Sequence, residues 1–218
     1  MPKWFMPVAF ASGAMLAISP LVIASADYES TMGLVQKIFY YHMPSAWVFL
    51  VAAIVCGVAS VRFLMTGDPR HDRTAWAAAE MAVIFGVVTL VTGPLWARKA
   101  WGTFWVWDAR TTSSLVQWMV AWAYLILRRY GGPGSEKLAA GLALFGTANV
   151  AFIYISVNYW RTIHPTTNVV PSLPPEMAAP FWWSMFAFVL LFAAILIVRA
   201  RLESSRAALE DAYAALED

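Results

Sequence analysis

The stretch W-G-T-F-W-V-W-D-A-R, Trp101 to Arg110, crowds Trp101, Phe104, Trp105 and Trp107 together and closes them with Asp108 and Arg110. Long apolar runs flank it on both sides. Its reading therefore decides whether the chain is a membrane bundle built around an aromatic site or a set of spans with interfacial tryptophans. If the stretch is helical, Trp101, Phe104, Trp105 and Asp108 fall at i, i+3, i+4 and i+7 and share one face. That face would be a flat aromatic platform with a carboxylate at its end, and Trp107 would point away from it. The alternative stays open here, because Trp and Tyr also gather at membrane–water interfaces, where an amphipathic ring suits the headgroup layer.

Composition settles the solvent. Of 218 residues, 61% are hydrophobic and only 13% charged, whereas a soluble domain carries about 25% charged residues. Mean hydropathy is +0.61. The chain reads as an integral membrane protein, and a net charge of +2 adds nothing, since such chains sort charge by side. The lone Cys56 excludes an intrachain disulfide and a thiolate metal cluster. No phosphate-binding P-loop, dinucleotide fingerprint or basic stripe suited to nucleic acid is present, so nucleotide and nucleic-acid chemistry have no seat in this chain.

A bilayer-spanning helix needs about 20 mostly apolar residues. Six stretches qualify: Trp4–Ser25, Ala46–Met65, Trp76–Leu95, Thr112–Leu127, Leu138–Val157 and Phe181–Val198. The expected fold is an all-α polytopic membrane protein, one six-span domain over residues 1–218. The fourth span carries Ser113, Ser114 and Gln117 and the fifth Asn149, polar groups that turn toward other helices or a polar cavity. Lys3, the first apolar run and Ala24-Ser25-Ala26 resemble a secretory signal, but the run is long for one and is taken as a retained helix. Residues 201–218, rich in Ala, Leu and Glu, extend the last span as a helical tail with a solvated face.

Lys and Arg orient the spans. One side holds Lys3, Arg62, Arg70, Arg73, Arg128, Arg129, Lys137, Arg199, Arg201 and Arg206; the other holds Lys37, Arg98, Lys99, Arg110 and Arg161. The positive-inside rule puts the richer side, with both termini, in the cytoplasm. Three loops remain outside: residues 27–45 with Y-Y-H-M-P, residues 96–111 with the aromatic stretch, and residues 158–180, which open on Y-W-R-T-I-H-P.

The chain has three His. His42 and His164 fall on the outer side with the platform, each beside an aromatic residue and near a Pro expected to end a helix. His71 lies in a loop, Thr66–Thr74, about 30 Å away across the hydrocarbon core. Two imidazoles make a poor zinc site, which needs three or four ligands. A large flat ligand fits better. Haem takes imidazole nitrogen at two axial positions, offers a broad apolar face for stacking and carries two propionates for Arg. Arg110 and Arg161 are the candidates for those carboxylates. Asp108 either pairs with an Arg or caps the fourth helix.

The stretch closely resembles the tryptophan-rich WWD signature of membrane haem-handling proteins in cytochrome c biogenesis. With Y-Y-H-M-P and Y-W-R-T-I-H in order around it, the region from Asp27 to Ile197 is most similar to the family of protein C of the cytochrome c maturation system (CcmC). The resemblance implies that His42 and His164 are axial ligands of a b-type haem, covered by Trp101, Gly102, Trp105, Trp107 and Asp108. Phe104 departs from the family pattern, which often has Trp there; the aromatic face is kept and an indole N–H is lost. It further implies a bacterial inner-membrane protein that holds haem at the periplasmic face for a periplasmic haem chaperone (CcmE). The expected partners are the transporter subunits CcmA and CcmB, which supply the ATP chemistry, and the small membrane protein CcmD. A haem-presenting subunit is expected rather than a stand-alone enzyme. The competing functions are a WWD-type cytochrome c haem ligase and a haem or solute permease. Ligases of this kind are longer with additional His, and permeases show repeats and broken helices, which this chain lacks.

Overall fold

The computed structural model describes residues 1–165 and 169–217. Within them, the long elements are α1 (Phe5–Ala24), α2 (Phe39–Thr66, led in by a 3-10 turn at Leu34–Ile38), α3 (Pro69–Trp101), α4 (Ala109–Tyr130), α5 (Ser135–Tyr159) and α6 (Pro175–Glu217). Five of them, all but α4, are long and apolar enough to cross a membrane. α4 has 22 residues, about 33 Å at 1.5 Å per residue, and falls short in composition rather than length. Its polar groups are turned inward: Asn149 of α5 donates to Ser113 O and to Gln117 Oε1, both at 3.0 Å. The protein is an all-α polytopic membrane protein.

The α2–α3 hairpin is the centre. α2 also packs on α5 and α6, α3 on α4 and α6, while α1 rests against α6. Val48, Phe49 and Ala52 of α2 join Met81, Ala82 and Phe85 of α3 and Phe188 and Phe192 of α6 in one apolar core. Toward the α2–α3 turn the core is built of small residues, Ala59, Ala75, Ala78, Ala79, Ala139 and Ala143, which let backbones approach where lipid gives helices no hydrophobic drive to associate. Ion pairs close that end of the bundle: Arg128–Asp72 at 2.5 Å and Arg199–Glu80 at 2.6 Å. α6, with 43 residues, continues well past any bilayer as the expected helical tail.

Three boundaries differ from the sequence reading, and each shortens a loop. α3 begins at Pro69, because the Asp68 side chain accepts the Arg70 N–H at 2.8 Å and Pro suits the first helical position. His71 therefore lies in a helical turn rather than a loop. α2 begins at Phe39, so His42 is a helical residue and Pro44 does not end its helix. The N–H that Pro44 lacks would have reached Tyr40, in the first turn, so the helix forgoes one bond instead of breaking. The third change matters most. α3 stops at Trp101 because Gly102 takes a left-handed conformation, φ 77°, and Asp108 starts α4 by accepting the Thr111 N–H at 2.8 Å. The helical reading of Trp101 to Asp108 is thus overturned. Residues 102–108 are a short loop between two capped helices.

Candidate functional site

At the opposite end of the bundle, the first turns of α2 and α4, the last turns of α3 and α5 and the two following loops line a cleft. His42, Trp96, Trp101, Trp105, Arg110 and His164 all line it. Residues from five separate stretches of chain converge there, which sequence spacing alone does not dictate.

His42 is held from α3. Its ring is only 6% exposed, and its Nδ1 lies 3.0 Å from Thr92 Oγ1. The Thr92 hydroxyl has one proton, which it donates to Val88 O at 2.6 Å. It can therefore only accept from His42, so Nδ1 carries the ring proton and Nε2 keeps its lone pair. The ring fits because residue 93 is Gly: a Cβ there would lie 3.1 Å from His42 Cε1.

His164 arrives from the loop after α5. Its Nδ1 is 3.0 Å from Pro165 O. A carbonyl only accepts, so this imidazole too is protonated at Nδ1 and free at Nε2. Burial and the neighbouring Arg110 guanidinium hold its pKa down to about 4, against smaller opposing effects of the Pro165 carbonyl and Asp108. Both rings are thus presented as neutral imidazoles with one free nitrogen each, the form that ligates iron.

A file of rings connects them. Trp96 lies 6.0 Å from His42 and 5.9 Å from Trp101, and Trp101 lies 6.4 Å from His164, centroid to centroid. Trp105 completes the wall, and its buried Nε1–H has no hydrogen-bond partner among the described residues. An unpaired buried donor carries a desolvation penalty that an acceptor on a bound molecule would remove. Arg110 brings the cleft its positive charge; Nη1 donates to Ile153 O at 3.0 Å, and the rest of its planar fork remains for a ligand.

Of the two roles expected for Asp108, the structure shows the cap on α4. Besides capping α4, it accepts a hydrogen bond from Thr162 Oγ1, and Thr162 Oγ1 in turn accepts the His164 N–H at 3.0 Å. The Ile163 N–H also faces this carboxylate, and together these donors outweigh the effect of burial and hold its pKa below the ordinary carboxylate value.

The remaining candidate residues stand apart from the cleft wall. Gly102 serves as the α3 cap. Trp107 is 74% exposed and meets Trp105 edge-on at 5.6 Å, so it braces that wall from outside. Arg161 is exposed and does not line the cleft. The aromatic platform survives the loss of the helix, since Trp101, Phe104 and Trp105 all still face the cleft. Sequence reasoning missed Trp96, Thr92 and Gly93, which sit together in T-G-P-L-W; the small polar residue beside Gly-Pro, one turn before a Trp, was the available signal. Among the described residues, no three of His, Cys, Asp and Glu gather as an ion site. The donor set, two imidazoles on an aromatic wall with one guanidinium and one free indole N–H, fits a flat porphyrin carboxylate better than a bare metal.

Comparison with known proteins agrees with that chemistry. The profile of the CcmC family, "Heme exporter protein C", matches residues 1–214. The chain is 34% identical over 210 residues to Heme exporter protein C of Escherichia coli, covering 91% of this chain and 83% of that one. It is 34% identical over 202 residues to Heme exporter protein C of Bradyrhizobium diazoefficiens, 90% of this chain and 77% of that one. A ccmC-like mitochondrial cytochrome c biosynthesis protein of Marchantia polymorpha is 31% identical over 191 residues, 86% of this chain and 81% of its own length. With its whole bundle and all three motifs inside the matched region, the chain belongs to the CcmC, or heme exporter protein C, family.

Proposed function

We propose that this protein handles haem in cytochrome c biogenesis, binding it in the cleft at the periplasmic face of a bacterial inner membrane and presenting it to a periplasmic haem chaperone of the CcmE kind. Both termini then lie in the cytoplasm, in keeping with the ten-to-five distribution of Lys and Arg between the two sides. The single observation that carries the reading is the pair of imidazoles, buried His42 and half-buried His164, both protonated at Nδ1 and lining one aromatic cleft. Their Nε2 atoms would ligate the iron of a b-type haem. Trp96, Trp101, Phe104 and Trp105 cover its face by stacking. Arg110 and the Trp105 Nε1–H take the propionates; Arg161, exposed at the rim, is left for the docked chaperone or for solvent.

The chain's part in the work is binding, orientation and exclusion of water, and the reactive chemistry belongs to the iron and the chaperone. Subunits of the CcmA and CcmB kind, with CcmD, would supply the ATP-driven release for which this chain has no nucleotide motif. Two imidazoles and, among the described lining residues, no further His, Cys, Asp or Glu support a haem-presenting subunit rather than a ligase or a solute permease.

The test is haem binding by the purified protein. A low-spin bis-imidazole spectrum is expected in wild type and is lost in His42→Ala and His164→Ala. Replacing Trp105 and Trp107 together weakens haem retention or transfer to the chaperone, while His71→Ala, at the far end of the bundle, changes neither. A full bis-imidazole spectrum in the His42→Ala/His164→Ala double variant would refute the assignment.

A further inference from the structure

The two imidazoles are held in unequal ways. His42 is carried by α2, its ring is boxed in by Gly93 and Trp96, and its ring proton is bonded to Thr92 of the neighbouring helix. α2 and α3 share the core of the bundle, so no loop movement displaces this ligand. His164 belongs to the non-helical stretch that follows α5, whose helix ends at Tyr159. Its ring hydrogen bond runs to the carbonyl of the next residue and travels with the loop. Among the described residues, the side-chain hydrogen bond that ties this stretch to another element is Thr162 Oγ1 to Asp108 Oδ2.

That hydroxyl works in both directions. It donates to the carboxylate that caps α4 and accepts the backbone N–H of His164 itself. The aromatic motif and the second histidine motif are thus joined at Asp108, through the Thr162 hydroxyl and the neighbouring Ile163 N–H.

We infer that Asp108 and Thr162 form a latch that positions His164, making His164 the releasable axial ligand and His42 the permanent one. Opening the latch moves His164 away from the cleft while His42, the rings and Arg110 stay in place. A bound haem would then keep one ligand from this chain and lose the other, so that one iron–imidazole bond, rather than two, would remain to be broken on transfer. The imidazole leaves neutral, so no proton or electron moves with it. Asp108 and Thr162 are positioning residues, and neither lines the cleft. This rests on the haem-binding reading above.

The experiment uses the full-length protein in detergent, loaded with haemin. Thr162→Val removes the hydroxyl while keeping the shape. It should convert much of the low-spin six-coordinate spectrum to a high-spin five-coordinate one and raise the rate of haem loss to apomyoglobin by about 10- to 100-fold, the usual effect of removing a partner that orients a ligand. Added imidazole should restore the low-spin spectrum, and Thr162→Ser should behave as wild type. Asp108→Asn, which keeps a capping oxygen for α4, should share the phenotype in part, and its combination with Thr162→Val should be less than additive, since both act at the same contact. If Thr162→Val keeps a fully low-spin spectrum and the wild-type rate of haem loss, the latch is refuted. If Thr162→Val does not accumulate, the Asp108→Asn spectrum decides in the same way. A wild-type protein without imidazole-ligated haem would instead overturn the haem-binding reading itself.

Discussion

Replacing Thr92 with Val deletes one hydroxyl and leaves the side chain's outline intact. The consequence is worked from three atoms. His42 Nδ1 sits 3.0 Å from Thr92 Oγ1, Thr92 Oγ1 donates to Val88 O at 2.6 Å, and the imidazole is buried. In the variant the ring has two options. It keeps its proton on Nδ1, now without the Thr92 acceptor in a buried position, at about 1–3 kcal/mol. Otherwise the proton shifts to Nε2, the atom that must be bare to bind iron. Either way ligation weakens, and loss of such an orienting partner lowers affinity about 10- to 100-fold, or about 1.4–2.8 kcal/mol at 1.4 kcal/mol per decade. Titrating the apo-protein with haemin and following the Soret band gives the affinity. Nitrogen-15 NMR of histidine-labelled apo-protein reads the tautomer directly. Wild type and Thr92→Ser should show Nδ1–H at His42; Thr92→Val should show a mixture or the other tautomer. An unchanged tautomer together with unchanged haem affinity in Thr92→Val would refute the reasoning.

Three further outcomes are expected. Arg110→Ala should weaken haem binding measurably, whereas Arg161→Ala should leave affinity unchanged, because only Arg110 lines the cleft; equal losses in the same haemin titration would contradict this placement. His164 has a pKa lowered to about 4 in the folded protein against about 6.5 in an unfolded chain, so between these values the unfolded chain binds more protons. Its neutral state therefore supports folding above about pH 6.5, and that support is lost as pH falls toward 4. Thermal unfolding of apo-protein across this window should decline more steeply in wild type than in His164→Gln, and parallel curves would show the site to be wetter than described. Finally, a Cβ on Gly57 would run into Thr147 Oγ1 where α2 meets α5. Gly57→Ala should cost about 1–3 kcal/mol as overpacking, and adding Thr147→Ala should recover most of the loss in thermal stability.

Asp108 explains why the aromatic stretch misleads a helical reading. Trp101, Phe104 and Trp105 have helical spacing, yet the run is cut after Trp101 by a left-handed Gly102 and restarted by the Asp108 cap. Periodicity cannot see this, because Gly inside an apolar pattern and Asp at its end are each tolerated in longer helices. The three rings reach the cleft all the same, for a different reason: a seven-residue loop bound between two packed helices has little freedom to turn them elsewhere. His42 was misplaced in the opposite sense. The loop expected around it is a helix, because Pro44 is near enough to the helix start to be accommodated.

The amino-acid order by itself determined that the chain lives in a bilayer as a bundle of helices, since runs of about 20 apolar residues bury their backbone polar groups in no other open form. It also determined that ring-bearing and imidazole-bearing segments fall at one end of that bundle, because each span reverses the direction of the last. Which atoms meet there was decided only by the tertiary packing. Thr92 beneath His42, Trp96 between the imidazoles and Thr162 against Asp108 are pairs separated by tens of residues, 50 in the first case. Their contact depends on how α2, α3, α4 and the last loop settle against one another, a balance of shape and hydrogen bonding that no local pattern encodes.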